Sequence, residues 1–163
     1  MEEARITFFA AMLFAIAFST GMHSFSFSLR ESKTKITASA ISIAVLAFSI
    51  IAGLITASFS VPAFAQVGCF LLLSVSAVRR VLEMRNKTCE NVKSLKSVVI
   101  FTSSDALVAG FGAGLGGINV FIVVIICIIL YTVFIRLTIA DNQNRSPMPT
   151  LGAILFISLA ALL

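Results

Sequence analysis

Residues 118–137, INVFIVVIICIILYTVFIRL, decide the fold. A strand of a membrane barrel would alternate apolar and polar side chains over about 10 residues. Residues 118–130 show no such alternation. Crossing the hydrocarbon core as a helix takes about 20 predominantly apolar residues, and this stretch supplies them. The same reading applied outward predicts further helices near 6–28, 37–59, 62–80 and 97–115, and a shorter one near 149–163. The expected fold class is therefore all-α, a polytopic membrane protein of about six transmembrane helices. Only Ser60, Val61 and Pro62 separate the second helix from the third, and residues 112–117 turn the fourth into the fifth.

Composition agrees. Of the 163 residues, 59 % are hydrophobic and 12 % charged, with a mean hydropathy of +1.07. A soluble domain carries roughly 25 % charged residues, so this chain lacks the polar surface to cover a globule and must turn apolar side chains to lipid. The start, Met1-Glu2-Glu3-Ala4-Arg5, has no basic n-region and no cleavage site follows, so 6–28 is expected as a retained helix rather than a signal peptide.

Basic residues set the expected orientation. Arg30, Lys33 and Lys35, then Arg79, Arg80, Arg85, Lys87, Lys93 and Lys96, then Arg136 and Arg145 follow the first, third and fifth helices; Arg5 alone lies opposite. The basic side is cytoplasmic by this rule, with both termini outside. The net charge of +5 then reflects topology, and no aromatic-interleaved basic patch points to a nucleic-acid partner. Asn86-Lys87-Thr88 matches a glycosylation acceptor but falls on the cytoplasmic side. Cys69, Cys89 and Cys127 lack metal-type spacing and read as small core hydrophobes or reduced thiols.

Shifting the chain by 84 positions places Ser19-Thr20-Gly21-Met22 on Ser103-Ser104-Asp105-Ala106, and Val67-Gly68-Cys69-Phe70-Leu71 on Leu151-Gly152-Ala153-Ile154-Leu155. Each unit holds three helices, so the second copy enters the membrane from the opposite side. The expected organisation is a 3+3 inverted repeat: 1–82, a cytoplasmic linker at 83–96, and 97–163. In such folds the substrate site lies near the midplane where corresponding helices meet. Here those are the first and fourth helices, which carry nearly all the polar residues placed within the spans.

Asp105 is the only acidic residue within a predicted span. A carboxylate at the bilayer centre costs about 2.5–3.5 kcal/mol on insertion scales, so it should face protein or water. It is a candidate cation ligand or proton carrier, and alternatively a protonated or hydrogen-bonded group that joins helices. Thr102, Ser103 and Ser104 can add hydroxyl oxygens. On the first helix Ser19, His23, Ser26 and Arg30 share a face. His23, the only histidine, suits manganese, zinc or iron, or a proton relay; alternatively it is bonded to a neighbouring serine or carbonyl. Thr20, Ser24 and Ser28 mark a packing face. Ala106, Gly110 and Gly114 recur every four residues, a spacing that lets helices approach closely, and Gly112, Gly116 and Gly117 could free carbonyls at the helix end. Gln66 and Asn119 are expected at an interface. No Ser–His–Asp, paired-carboxylate or Cys–His arrangement occurs, so no enzyme activity and no cofactor are expected.

Residues 103–113, SSDALVAGFGA, resemble the second-half signature of the MntP/YtaF membrane proteins, roughly Ser-Leu-Asp-Ala-Phe/Leu-x-Ala/Val-Gly followed by small residues. Residues 17–30 resemble the other copy, with the Leu29-Arg30 exit of the YtaF branch, and 62–77 the third-helix pattern. The resemblance implies six helices in an inverted repeat. For the MntP branch it implies manganese efflux, with a divalent cation as cargo; for the YtaF branch, a sporulation-associated membrane protein. Two positions depart from the pattern. Gly21 stands where the family carries a first-helix aspartate, and Ala109 where the MntP branch has a basic residue. The expected metal-site residues are Asp105, His23, Ser19, Thr102 and Ser104. A diverged, non-transporting relative with a degenerate ion site is the alternative.

Overall fold

The computed structural model describes residues 2–26, 32–86, 95–140, 154–155 and 157–158. Every regular element among them is an α-helix: α1 (Glu2–Ser26), α2 (Ser32–Phe59), α3 (Pro62–Asn86), α4 (Leu95–Leu115) and α5 (Val120–Ala140). The sixth expected helix, near 149–163, lies outside the described residues apart from 154–155 and 157–158, which are helical. Leu155 packs against the core.

The two tight connections have clear local causes. Pro62 opens α3 at the first helical position, where its missing N–H costs nothing and its φ is already helical. At the end of α4, Gly117 takes a φ of 73°, a left-handed conformation that glycine adopts without steric cost. The Ile118 N–H then bonds the Ala113 carbonyl at 3.1 Å and the Gly117 N–H bonds Gly114 at 3.0 Å. This pair of bonds is the Schellman pattern that satisfies terminal carbonyls. Asn119 follows as the cap of α5, its Oδ1 accepting from the Phe121 N–H at 3.0 Å. Expected only as an interfacial residue, Asn119 thus fixes the start of a helix.

The helices run longer than hydropathy suggests at their charged ends. α3 extends to Asn86 rather than stopping near 80, and α4 begins at Leu95. Hydropathy marks where a helix leaves an apolar medium, whereas backbone hydrogen bonding continues into polar sequence.

α2 and α4 make the most extensive contact, followed by α3 with α4 and α1 with α5. Small residues let α2 and α4 close up. A Cβ on Gly53 would lie 2.9 Å from the Gly114 Cα, and one on Gly110 3.0 Å from the Leu46 carbonyl oxygen. The core joins Phe14 and Phe18 of α1, Leu46 and Ile50 of α2, Leu73 of α3, Ala106 and Ala109 of α4, and Val123 and Cys127 of α5. Phe14 and Phe18 are stacked with ring centroids 6.4 Å apart.

The outer faces are apolar too. Phe48, Phe59, Phe64, Ile100 and Phe121 stand exposed, and an open groove between α2 and α5 is lined by Ile36, Ala40, Ile43, Ala44, Val124 and Ile128. Thr34–Phe59 and Pro62–Leu82 are each long and apolar enough to cross a membrane, with only 28 % and 33 % of their apolar windows buried. A core helix of a soluble protein would be mostly covered.

Candidate functional site: a buried ion pair between three helices

Asp105 occupies the centre of α4 and is buried. Its partners come from the facing helix. Ser76 and Arg80, four residues apart and so on one face of α3, converge on the carboxylate. The Ser76 hydroxyl donates to Oδ1 at 2.5 Å. Arg80 donates to Oδ2 through Nε at 3.0 Å and through Nη2 at 2.6 Å. Both carboxylate oxygens are therefore satisfied, and the charge is neutralised by an arginine that is itself 3 % exposed.

Arg80 also reaches α1. Its Nη1 donates to the Ala17 carbonyl, and its guanidinium carbon lies 5.9 Å from the centroid of the Phe18 ring, within the range of a cation–π contact. One side chain thus links α1, α3 and α4. Read from the sequence, Arg80 belongs to a cytoplasmic loop beside Arg79. The structure corrects this: the helix continues past it, and one arginine of the adjacent pair turns inward.

A second polar layer lies between α2 and α4. Ser42 donates to Thr102 Oγ1 at 2.7 Å, and Thr102 donates to the Val99 carbonyl at 3.3 Å. Further along, Ser49 donates to the Leu107 carbonyl at 2.6 Å. Ser49→Ala is expected to cost about 0.5–1 kcal/mol, the net worth of one such bond, read as a small drop in thermal midpoint of the purified protein.

The expected ligands are dispersed among these layers. Thr102 faces Ser42 rather than Asp105. Ser104 is half-buried and already has a partner. Ser19 is buried beside the Cys127 thiol. The Ser19 and Ser103 hydroxyls are buried without a conventional hydrogen bond among the described residues. The side chain of His23 lies outside the described residues. No group of three or more His, Cys, Asp or Glu residues able to hold a metal occurs among the described residues.

The buried polar set is not confined to the first and fourth helices. Ser39, Ser42 and Ser49 of α2 and Ser76 and Arg80 of α3 belong to it. Their sequence signal is the spacing of Ser76 and Arg80 at i, i+4 and of Ser42 and Ser49 at i, i+7, which places each pair on one helix face. Ala106, Gly110 and Gly114 lie along α4, with Gly110 and Gly114 against α2 and Ala106 in the core.

No family model, curated protein or solved structure matches this chain significantly.

Proposed function

We propose that the chain is a multi-pass protein of the bacterial cytoplasmic membrane that exports a divalent cation, manganese by the MntP resemblance, through alternating access. The observation that carries this reading is the buried Asp105 carboxylate, held by α3 at the junction with α1 and α4. An ionised group inside apolar helices is costly and marks ion pathways by default.

Several features support the membrane setting and the inverted repeat of 1–82 and 97–163. Exposed phenylalanines and isoleucines cover the outer faces, as lipid contact requires. Exchanging the two repeats maps α1 onto α4 and α2 onto α5, so the α2–α4 contact maps onto the α1–α5 contact, and both are extensive. A near match of register supports the repeat as well. The Cys127 sulfur lies 3.9 Å from the Ala15 carbonyl; the 84-residue shift converts this pair to Ile43 and Val99, within one turn of the Ser42–Thr102 contact. Ser19 and Ser103, which the same shift superposes, are both buried hydroxyls without a conventional hydrogen bond among the described residues. With Arg80 removed from the loop count, the remaining basic residues still place the linker at 83–96 in the cytoplasm. A reporter fused in that linker is expected to read as cytoplasmic; a periplasmic signal would invert the topology.

One observation favours the alternative of a non-transporting, sporulation-type relative. Both oxygens of Asp105 are already bonded by Arg80 and Ser76, as in a fixed joint between helices. Cellular manganese under manganese stress separates the two readings. Export predicts lower metal in cells expressing the wild type than in cells with an empty vector, and no reduction with Asp105→Asn. Equal metal in all three at equal membrane expression gives the fixed-joint reading the lead.

A further inference from the structure

We propose that Arg80 is a tethered counter-cation: it occupies Asp105 when no ion is bound, and an incoming cation binds only as the guanidinium withdraws onto α1. This rests on the transporter reading above and assigns the residue that controls its site.

The geometry supplies both ends of the movement. At Asp105, Arg80 fills Oδ2 with two donors while Ser76 takes one position on Oδ1, so a cation that engages both carboxylate oxygens must displace an Arg80 donor. On α1, the Ala17 carbonyl already accepts from Nη1 and the Phe18 ring already lies beneath the guanidinium. A guanidinium carries five N–H donors. Releasing Asp105 therefore leaves Arg80 with partners it already holds, rather than as a bare charge.

Charge explains why the two occupants exclude one another. Asp105 and Arg80 together are neutral. A divalent cation on Asp105 already leaves a net positive charge there, and a guanidinium still bonded to the same carboxylate would add like-charge repulsion at contact distance, which withdrawal onto α1 lessens. Loaded and unloaded states would then differ in which cation faces the carboxylate. The unloaded carrier would never expose a bare carboxylate to the membrane as it returns. Position suits the role as well: Arg80 lies in the last turn of the apolar span Pro62–Leu82, where a long side chain can shift its head group while its stem stays packed.

The test is cation binding, not transport. Purified wild type, Arg80→Gln, Asp105→Asn and the double variant are titrated with Mn2+, and in parallel with Na+, while thermal stability is followed. Removing a competing charge-assisted pair is expected to lower the Mn2+ midpoint of Arg80→Gln about 10- to 100-fold below wild type. Asp105→Asn and the double variant should not respond. Where Arg80→Gln is isolated only unfolded, Arg80→Lys carries the test, since an ammonium cannot span Asp105 and Ala17 as the fork does; a several-fold tighter midpoint is expected. A response of Arg80→Gln to Na+ alone would uphold the role of Arg80 and remove manganese as the cargo. A folded Arg80→Gln with the wild-type midpoint, where the wild-type response needs Asp105, overturns the counter-cation while leaving the transporter reading intact. If no variant responds to either cation, both fall. If the double variant still responds, the ion binds elsewhere and the proposal fails.

Discussion

Arg80→Leu and Asp105→Asn are each expected to destabilise the helix assembly by about 3–5 kcal/mol, and the two together by less than either alone. Each single change removes one partner of a buried, hydrogen-bonded ion pair. Arg80→Leu strands a carboxylate that keeps the Ser76 hydroxyl as a donor. Asp105→Asn strands a guanidinium that retains the Ala17 carbonyl and the Phe18 ring, so it should be the milder of the two. The double variant Arg80→Leu/Asp105→Asn removes both charges at once and leaves only neutral groups to satisfy. Thermal or denaturant melts of the four proteins in detergent form a double-mutant cycle. A coupling near zero would mean that the two side chains do not meet in the folded protein.

The second large effect is at the crossing of α2 and α4. Gly114→Ala is expected to cost about 3 kcal/mol, the upper end for overpacking. The added Cβ would lie 2.8 Å from the Gly53 Cα and 2.9 Å from the Leu54 backbone nitrogen, and closer still to the Ile50 carbonyl. These are backbone atoms, so relief requires the helices to separate along their whole contact rather than one side chain to rotate. Gly53→Ala meets the same obstacle from the other side. Gly117→Ala is the informative contrast. Its Cβ would touch nothing, and only the positive φ opposes it, at about 1–2 kcal/mol. Comparable melting temperatures for Gly114→Ala and Gly117→Ala would show that α2 and α4 are not in close backbone contact.

Much of the helical framework could be read from the sequence because it depends on composition and local chemistry. Unbroken apolar runs predict helices over stretches such as 37–59 and 118–137, and the Pro62 and glycine-rich turns fall where the structure places them. Asp105 stands out on charge alone, and it is buried. Its partner does not stand out. Arg79 and Arg80 are adjacent, and on a helix adjacent residues point about 100° apart, so one can face the core while the other does not. The count of basic residues takes both as cytoplasmic charges at the end of the third helix. Nor does sequence show that Thr102 turns to Ser42 instead of joining Asp105, because residues three apart on α4 diverge enough to meet different helices. The alignment of Gly21 with Asp105 under the 84-residue shift gains a physical counterpart: Ser76, which bonds Asp105, aligns with Ala160. On the proposed repeat, the position related to this site therefore lacks both the acid and its hydroxyl donor, which leaves the Asp105 pair as the ion site of the proposal.

The most direct test of that chemistry is Mn2+ flux into liposomes containing the purified protein, comparing wild type with the charge-neutral double variant Arg80→Gln/Asp105→Asn. The double variant keeps the three helices free of stranded charge, so a loss of flux reports on the site rather than on folding. The account predicts Mn2+ movement above protein-free liposomes for the wild type and none for the folded double variant. Equal flux from both, or no flux from a folded wild type, would contradict it.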